Sequence, residues 1–140
     1  MKNKFIKIVF VTLILFSFTL RVAAPDREFL TIVYSNPLEP YKKLIHAIGM
    51  VETKCDTLAY NPIEQAVGYF QIRPIRVKDY NRRTGSHYKL KDMYNYEISE
   101  KVFLYYAEQI GPYNPGKIAR NWNGSGVRTY YYWNRIKKYL

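Results

Sequence analysis

Between Pro40 and Leu140, prolines and glycines stand at the ends of stretches whose apolar residues recur every three or four positions, and breakers paired with that period imply a mainly helical fold. Leu44, Ile45, Ile48 and Val51 predict a helix over about 40–53, with Pro40 near its first turn. Pro74 opens a second over about 74–84, which carries Ile75, Val77 and Tyr80 and stops before Gly85. Ile98, Val102, Phe103, Tyr106 and Ile110 stripe a third over about 96–110, capped by Asn95 or Asp92 and ended by Gly111-Pro112. Pro115 starts a short helix through about 122, Gly124-Ser125-Gly126 breaks it, and Tyr132, Trp133, Ile136 and Leu140 mark the last, about 127–139. Residues 54–72, with Asn61-Pro62 and Gly68, read as an irregular segment with room for one short β-hairpin, passing back over the end of the first helix. Residues 85–95 read as a polar, Tyr-rich loop. Gly49 inside the first helix costs roughly 1 kcal/mol relative to Ala, and its missing side chain leaves room for another segment to approach.

The first residues differ in kind. Lys2, Lys4 and Lys7 precede an apolar stretch at 8–20 and then Val22-Ala23-Ala24, the pattern of an export signal. Its thirteen residues fall short of the roughly 18–20 that a membrane crossing needs, so a removable signal over 1–24 is the expectation, with an uncleaved anchor as its alternative. An N-terminal arm over 25–38 and a single domain over 39–140 follow. The chain has 22 Lys+Arg and 11 Asp+Glu; Lys2, Lys4, Lys7 and Arg21 fall within 1–24 and every acid lies beyond it, so 18 basic groups against 11 acidic leave +7 on the remainder. A basic surface seeks an anionic partner. For an exported protein, cell-wall glycan peptide or a membrane surface is nearer to hand than nucleic acid, for which the chain has neither an arginine-rich tract nor zinc-ligand spacing. Cys55 is the only cysteine, so no intramolecular disulfide forms and the fold rests on its core.

The chemistry points to Glu52, a carboxylate that ends the apolar run Leu44-Ile45-His46-Ala47-Ile48-Gly49-Met50-Val51. Cleaving a glycosidic bond requires a donor still protonated near neutral pH. A free glutamate, with a pKa near 4.3, is ionised there. Burial against Met50, Val51 and the Gly68-Tyr69-Phe70 segment, together with the negative end of the helix, are the two expected causes of a raised pKa, provided that Lys54 points into solvent.

Glu52-Thr53, Asn61-Pro62, Gly68-Tyr69-Phe70-Gln71-Ile72, Trp122-Asn123-Gly124-Ser125-Gly126 and Thr129-Tyr130-Tyr131-Tyr132-Trp133 stand in one order over residues 44–136. Together they resemble the catalytic core of the soluble lytic transglycosylases and their goose-type lysozyme relatives. Thr53 stands where that family usually has Ser and keeps the hydroxyl; Asn121 precedes Trp122 where Ala-Tyr is expected. The resemblance implies a lysozyme-like single domain with a catalytic cleft. It implies cleavage of the β-1,4 bond between N-acetylmuramic acid and N-acetylglucosamine, with Glu52 as the single acid and base and a 1,6-anhydro end as product. Thr53, Tyr69, Gln71, Asn123 and Tyr132 become substrate-binding candidates, with either Tyr69 or Phe70 facing the cleft. Peptidoglycan glycan strands are the implied partner, with membrane association through the N-terminal segment and a secretion or assembly apparatus as further expectations. No metal or organic cofactor is implied.

Two other chemistries were open to these residues. A hydrolytic muramidase needs a second carboxylate, for which Asp56, Glu64 and Asp79 are candidates and Glu64 the best placed; a salt-bridge role is its structural alternative. A cysteine enzyme needs a base for Cys55, yet His46 lies nine residues earlier, about 2.5 turns away, where an intact helix keeps the two apart. From another class, a non-catalytic glycan-binding or assembly protein would use the charge and the tyrosines equally well but has no need of an acid at position 52.

Overall fold

A computed structural model describes residues 39–140; the expected signal at 1–24 and the arm at 25–38 lie outside the described residues. Five helices follow in order: α1 Lys42–Glu52, α2 Pro74–Thr84, α3 Tyr96–Glu108, α4 Pro115–Asn123 and α5 Arg128–Ile136. One antiparallel hairpin, β1 Tyr60–Asn61 and β2 Ala66–Val67, lies between α1 and α2, with Tyr60 opposite Val67 and Asn61 opposite Ala66. The molecule is mainly helical, as the apolar period required. Asn95 makes the cap of α3 by accepting from the Ile98 amide at 3.0 Å, and Asn114 does the same for α4 through Lys117.

Three local expectations need correction. The 85–95 loop contains a 3-10 turn at Leu90–Tyr94, closed by Asp92 accepting from the Lys89 amide at 2.7 Å, and Met93 within it is fully buried. The final helix ends at Ile136 and tightens into a 3-10 turn, Lys137–Tyr139. Ile75 faces water and α2 is held by Val77 and Tyr80 instead.

The core is built around aromatic contacts from separate segments. Phe70, at the end of the hairpin segment, stacks on Phe103 of α3 at 4.9 Å between ring centres, and Trp122 of α4 meets Phe103 edge-on at 5.1 Å. The Trp122 indole N–H donates to the Phe70 carbonyl at 3.1 Å, which pins α4 to the hairpin segment. Ile48 of α1, Ile72, Val102 of α3 and Ile136 of α5 complete this interior.

Gly49 and Gly68 show why particular positions tolerate no side chain. A Cβ on Gly49 would sit 2.1 Å from Cζ of Tyr69, so the tyrosine ring lies directly on the helix backbone where a methyl would otherwise be. Gly68 has φ of 73°, and a Cβ there would meet the Met93 carbonyl oxygen at 2.2 Å. Gly49 lets the Tyr69 segment lie against α1 while Gly68 lets the same segment lie against the Leu90–Tyr94 turn, and Gln71 comes to line a pocket with Glu52 at the end of α1.

Candidate active site

Glu52 is the last residue of α1 and is partly buried. Eighty residues later in sequence, Tyr132 of α5 donates its hydroxyl to Glu52 Oε1 at 2.7 Å. Tyr132 is itself only 5% exposed, so this hydrogen bond lies at the edge of the core. One turn further along α5, the Arg135 guanidinium donates to the Val51 carbonyl at 2.9 Å. Helix α5 thus holds the C-terminal end of α1 by two polar contacts.

A pocket of about 70 Å³ opens beside this pair, lined by Glu52, Glu64, Gln71, Ile72, Arg73, Arg76, Trp122 and Asn123. Its walls come from the end of α1, the hairpin turn, the start of α2 and the end of α4. Asn61 sets the turn by accepting from the amides of Ile63 at 3.1 Å and Glu64 at 3.4 Å. Gln71 takes a left-handed conformation, φ 49°, and its amide Nε2 donates to the Gly68 carbonyl at 3.1 Å, leaving the Oε1 acceptor of the same amide to face other partners. Arg76 is clamped between Tyr106 and Trp122, its guanidinium carbon 4.6 Å and 4.7 Å from the two ring centres, and it donates to the Trp122 carbonyl at 3.1 Å.

Burial drives the Glu52 carboxyl above the ordinary glutamate range. The Tyr132 hydrogen bond opposes that, as do the Arg135 and Arg73 charges, while the Glu64 charge adds to the rise. Of the two causes expected from sequence, burial holds and the negative helix end is offset by Arg135, which sits on its carbonyl. Lys54 plays no part: it is exposed, with Nζ 3.4 Å from the Tyr139 hydroxyl. Burial and the neighbouring Glu52 charge push the Tyr132 hydroxyl far up, so it keeps its proton and with it the capacity to donate to Glu52.

The expected site residues divide. Glu52, Gln71 and Asn123 line one pocket with Glu64, and Tyr132 bonds to Glu52 from beneath. Thr53 and Tyr69 do not line it. The Thr53 hydroxyl bonds backbone, donating to the carbonyls of Gly49 at 3.4 Å and Tyr69 at 3.3 Å, and so stitches the hairpin segment to the helix end. Tyr69 and Phe70 do not split between cleft and interior: both are buried, Tyr69 on Gly49 and Phe70 on Phe103. Of the other candidate carboxylates, Asp56 accepts from the Leu58 amide at 2.8 Å and Asp79 is paired with Arg82 and Arg83, and neither lines the pocket.

His46 and Cys55 also come out differently from the helical spacing. Helix α1 stops at Glu52, Lys54 and Cys55 take left-handed φ values of 58° and 67°, and the chain doubles back. Cys55 Sγ comes within 3.9 Å of His46 Nδ1 and 3.4 Å of the Tyr69 hydroxyl. Neither His46 nor Cys55 lines the Glu52 pocket.

Arg73 and Arg76 were missed as site residues. Their only sequence signal is position: two residues after Gln71 and two after Pro74, they begin a helix whose N-terminal turn has to point back toward Gln71. Compared with known proteins, the chain matches no family model, no curated protein and no solved structure.

Proposed function

We propose that this chain is an exported, lysozyme-like lytic transglycosylase of the cell envelope, cutting peptidoglycan glycan strands between N-acetylmuramic acid and N-acetylglucosamine. The observation that carries this reading is the meeting in one pocket of a partly buried glutamate and two side-chain amides, with a tyrosine eighty residues away donating to that glutamate from beneath.

Glu52 enters the reaction as a neutral acid, because burial disfavours its anion. Tyr132 donates to Oε1, so Oε1 serves as the carbonyl-type acceptor and Oε2 carries the proton to be given up. That proton passes to the glycosidic oxygen as the bond to the anomeric carbon breaks and positive charge grows on the muramic ring. The carboxylate left behind is stabilised by the Tyr132 hydroxyl and by Arg135, the two strongest of the groups that oppose its protonation at rest. As the muramic 6-hydroxyl attacks the anomeric carbon, Glu52 takes up the proton of that hydroxyl, closing the 1,6-anhydro ring and restoring the acid. Gln71 and Asn123 present amides at the pocket wall, suited to sugar hydroxyl and N-acetyl groups.

A second reading has one observation in its favour. Glu64 faces the same pocket as Glu52 and its charge reaches Glu52, which suits a hydrolase in which Glu64 activates water. Mass spectrometry of digested sacculi decides between them: an anhydromuramic end is expected, and a reducing end from the wild type would transfer the chemistry to the Glu52–Glu64 pair. Strand binding without any soluble product would leave a glycan-binding protein.

A further inference from the structure

Two guanidiniums line the same pocket as Glu52, and among the described residues neither has a carboxylate partner: the ion pairs there are Asp79 with Arg82 and Asp79 with Arg83. Arg76 is committed to Tyr106, Trp122 and the Trp122 carbonyl. Arg73 lines the pocket with no side-chain hydrogen bond among the described residues. The two charges repel, and burial already disfavours the Arg76 cation. With Glu52 holding its proton, as acid catalysis demands, the pocket keeps the two arginines against the exposed Glu64 alone, a formal excess of one positive charge.

Building on the transglycosylase reading, we propose that Arg73, with Arg76 fixed behind it, receives a substrate carboxylate and makes this chain selective for anionic glycan strands. A carboxylate there joins the two guanidiniums by charge-assisted hydrogen bonds and removes their mutual repulsion. It also cancels the pull of Arg73 on Glu52, so the acid is best held in its neutral form when the strand is seated. Two sources share this chemistry: the lactyl carboxyl of muramic acid on strands stripped of peptide, and the free carboxylates of peptide stems.

The test measures kcat/KM of the full chain, and of Arg73→Gln and Arg73→Lys, on peptide-free strands and on the same strands with their carboxyls converted to neutral methyl amides. Arg73 is the residue to change, because Arg76 also braces Trp122. The wild type is expected to prefer the anionic strands by about tenfold, Arg73→Gln to lose that preference, and Arg73→Lys to regain part of it. An equal fall on both substrates would make Arg73 merely structural and overturn the proposal. Peptide-bearing strands locate the source: an Arg73 effect retained there places the carboxylate on the stem, and one confined to stripped strands places it on the lactyl group. Calorimetric binding to Glu52→Gln, with and without Arg73→Gln, separates this proposal from the reaction. Arg73-dependent binding of anionic strands by a protein whose wild type cuts nothing would discard the reaction and keep the anion site. Cutting with no carboxylate preference would do the reverse.

Discussion

Among the described residues, Glu52 and Asp79 each accept a hydrogen bond from a buried tyrosine, and they titrate in opposite directions. Tyr132 donates to Glu52 at 2.7 Å and Tyr106 donates to Asp79 at 2.9 Å. Asp79 lies at the surface of α2 with Arg82 at 2.6 Å and Arg83 at 2.8 Å, and those hydrogen bonds hold its carboxyl down to about 2. Glu52 has cations only at longer range and loses most of its water, and it rises. A tyrosine hydroxyl alone therefore does not make an acid or a base. Access to water and the distance of the nearest guanidinium decide, and only the Glu52 side is shifted toward holding its proton.

Glu52→Gln is the sharpest way to break this comparison. Loss of a general acid is expected to reduce release of soluble muropeptides by about 10³-fold or more, while Asp79→Asn keeps it within about twofold. Comparable losses in the two variants would erase the functional difference between the sites.

Removing each hydroxyl comes next. Tyr132→Phe is expected to slow strand cleavage about tenfold and to move the basic limb of the kcat/KM profile to higher pH, because the lost hydrogen bond favours the Glu52 anion. Tyr106→Phe keeps its ring against Arg76 and Trp122 and should leave that profile in place, while the Asp79 carboxyl, followed by NMR, moves up from about 2.

Gly49→Ala tests the packing beneath the Glu52 side. The methyl would occupy the space of the Tyr69 ring, and an overpacking cost of about 1–3 kcal/mol is expected in chemical denaturation.

The smallest effects are in stability against pH, and they have opposite signs. Glu52 has a folded pKa above its unfolded value, so its ionisation destabilises the fold as pH rises through that interval. Glu52→Gln should then melt higher than wild type at pH 8, with the gap closing near pH 4, where both side chains are neutral. Asp79 has a folded pKa of about 2 against 3.8, so its contribution is present above about pH 4 and lost on acidification toward pH 2. Asp79→Asn should flatten that acid limb in thermal melts.

The helices were legible because their ends carry residues with few conformational options. Pro74 and Pro115 open α2 and α4, Asn95 and Asn114 supply side-chain caps, and the Leu44, Ile48 period buries α1 against the core. Glu52, Gln71, Asn123 and Tyr132 could be picked out together from a motif order over residues 44–136, and they lie in or beside one pocket. What stayed hidden depends on backbone conformations that the residue types do not announce. Lys54, Cys55, Gln65 and Gln71 all take positive φ without being glycine. The first two end α1 in a reversal that brings Cys55 to His46, a contact helical spacing rules out. Arg73 and Arg76 read as ordinary surface charges of a basic protein. Their place in the pocket follows from Gln71 turning left-handed and from the Trp122 indole tying α4 to Phe70, both long-range consequences of packing.

Carbon-13 NMR of the Glu52 side-chain carboxyl, followed across pH in the full chain and assigned with Glu52→Gln, tests the central claim most directly. The expected result is a midpoint clearly above that of an ordinary glutamate, on the opposite side of normal from Asp79. A midpoint at or below that value would mean that Glu52 is a carboxylate at neutral pH with no proton to give, and the proposed cleavage chemistry would fall with it.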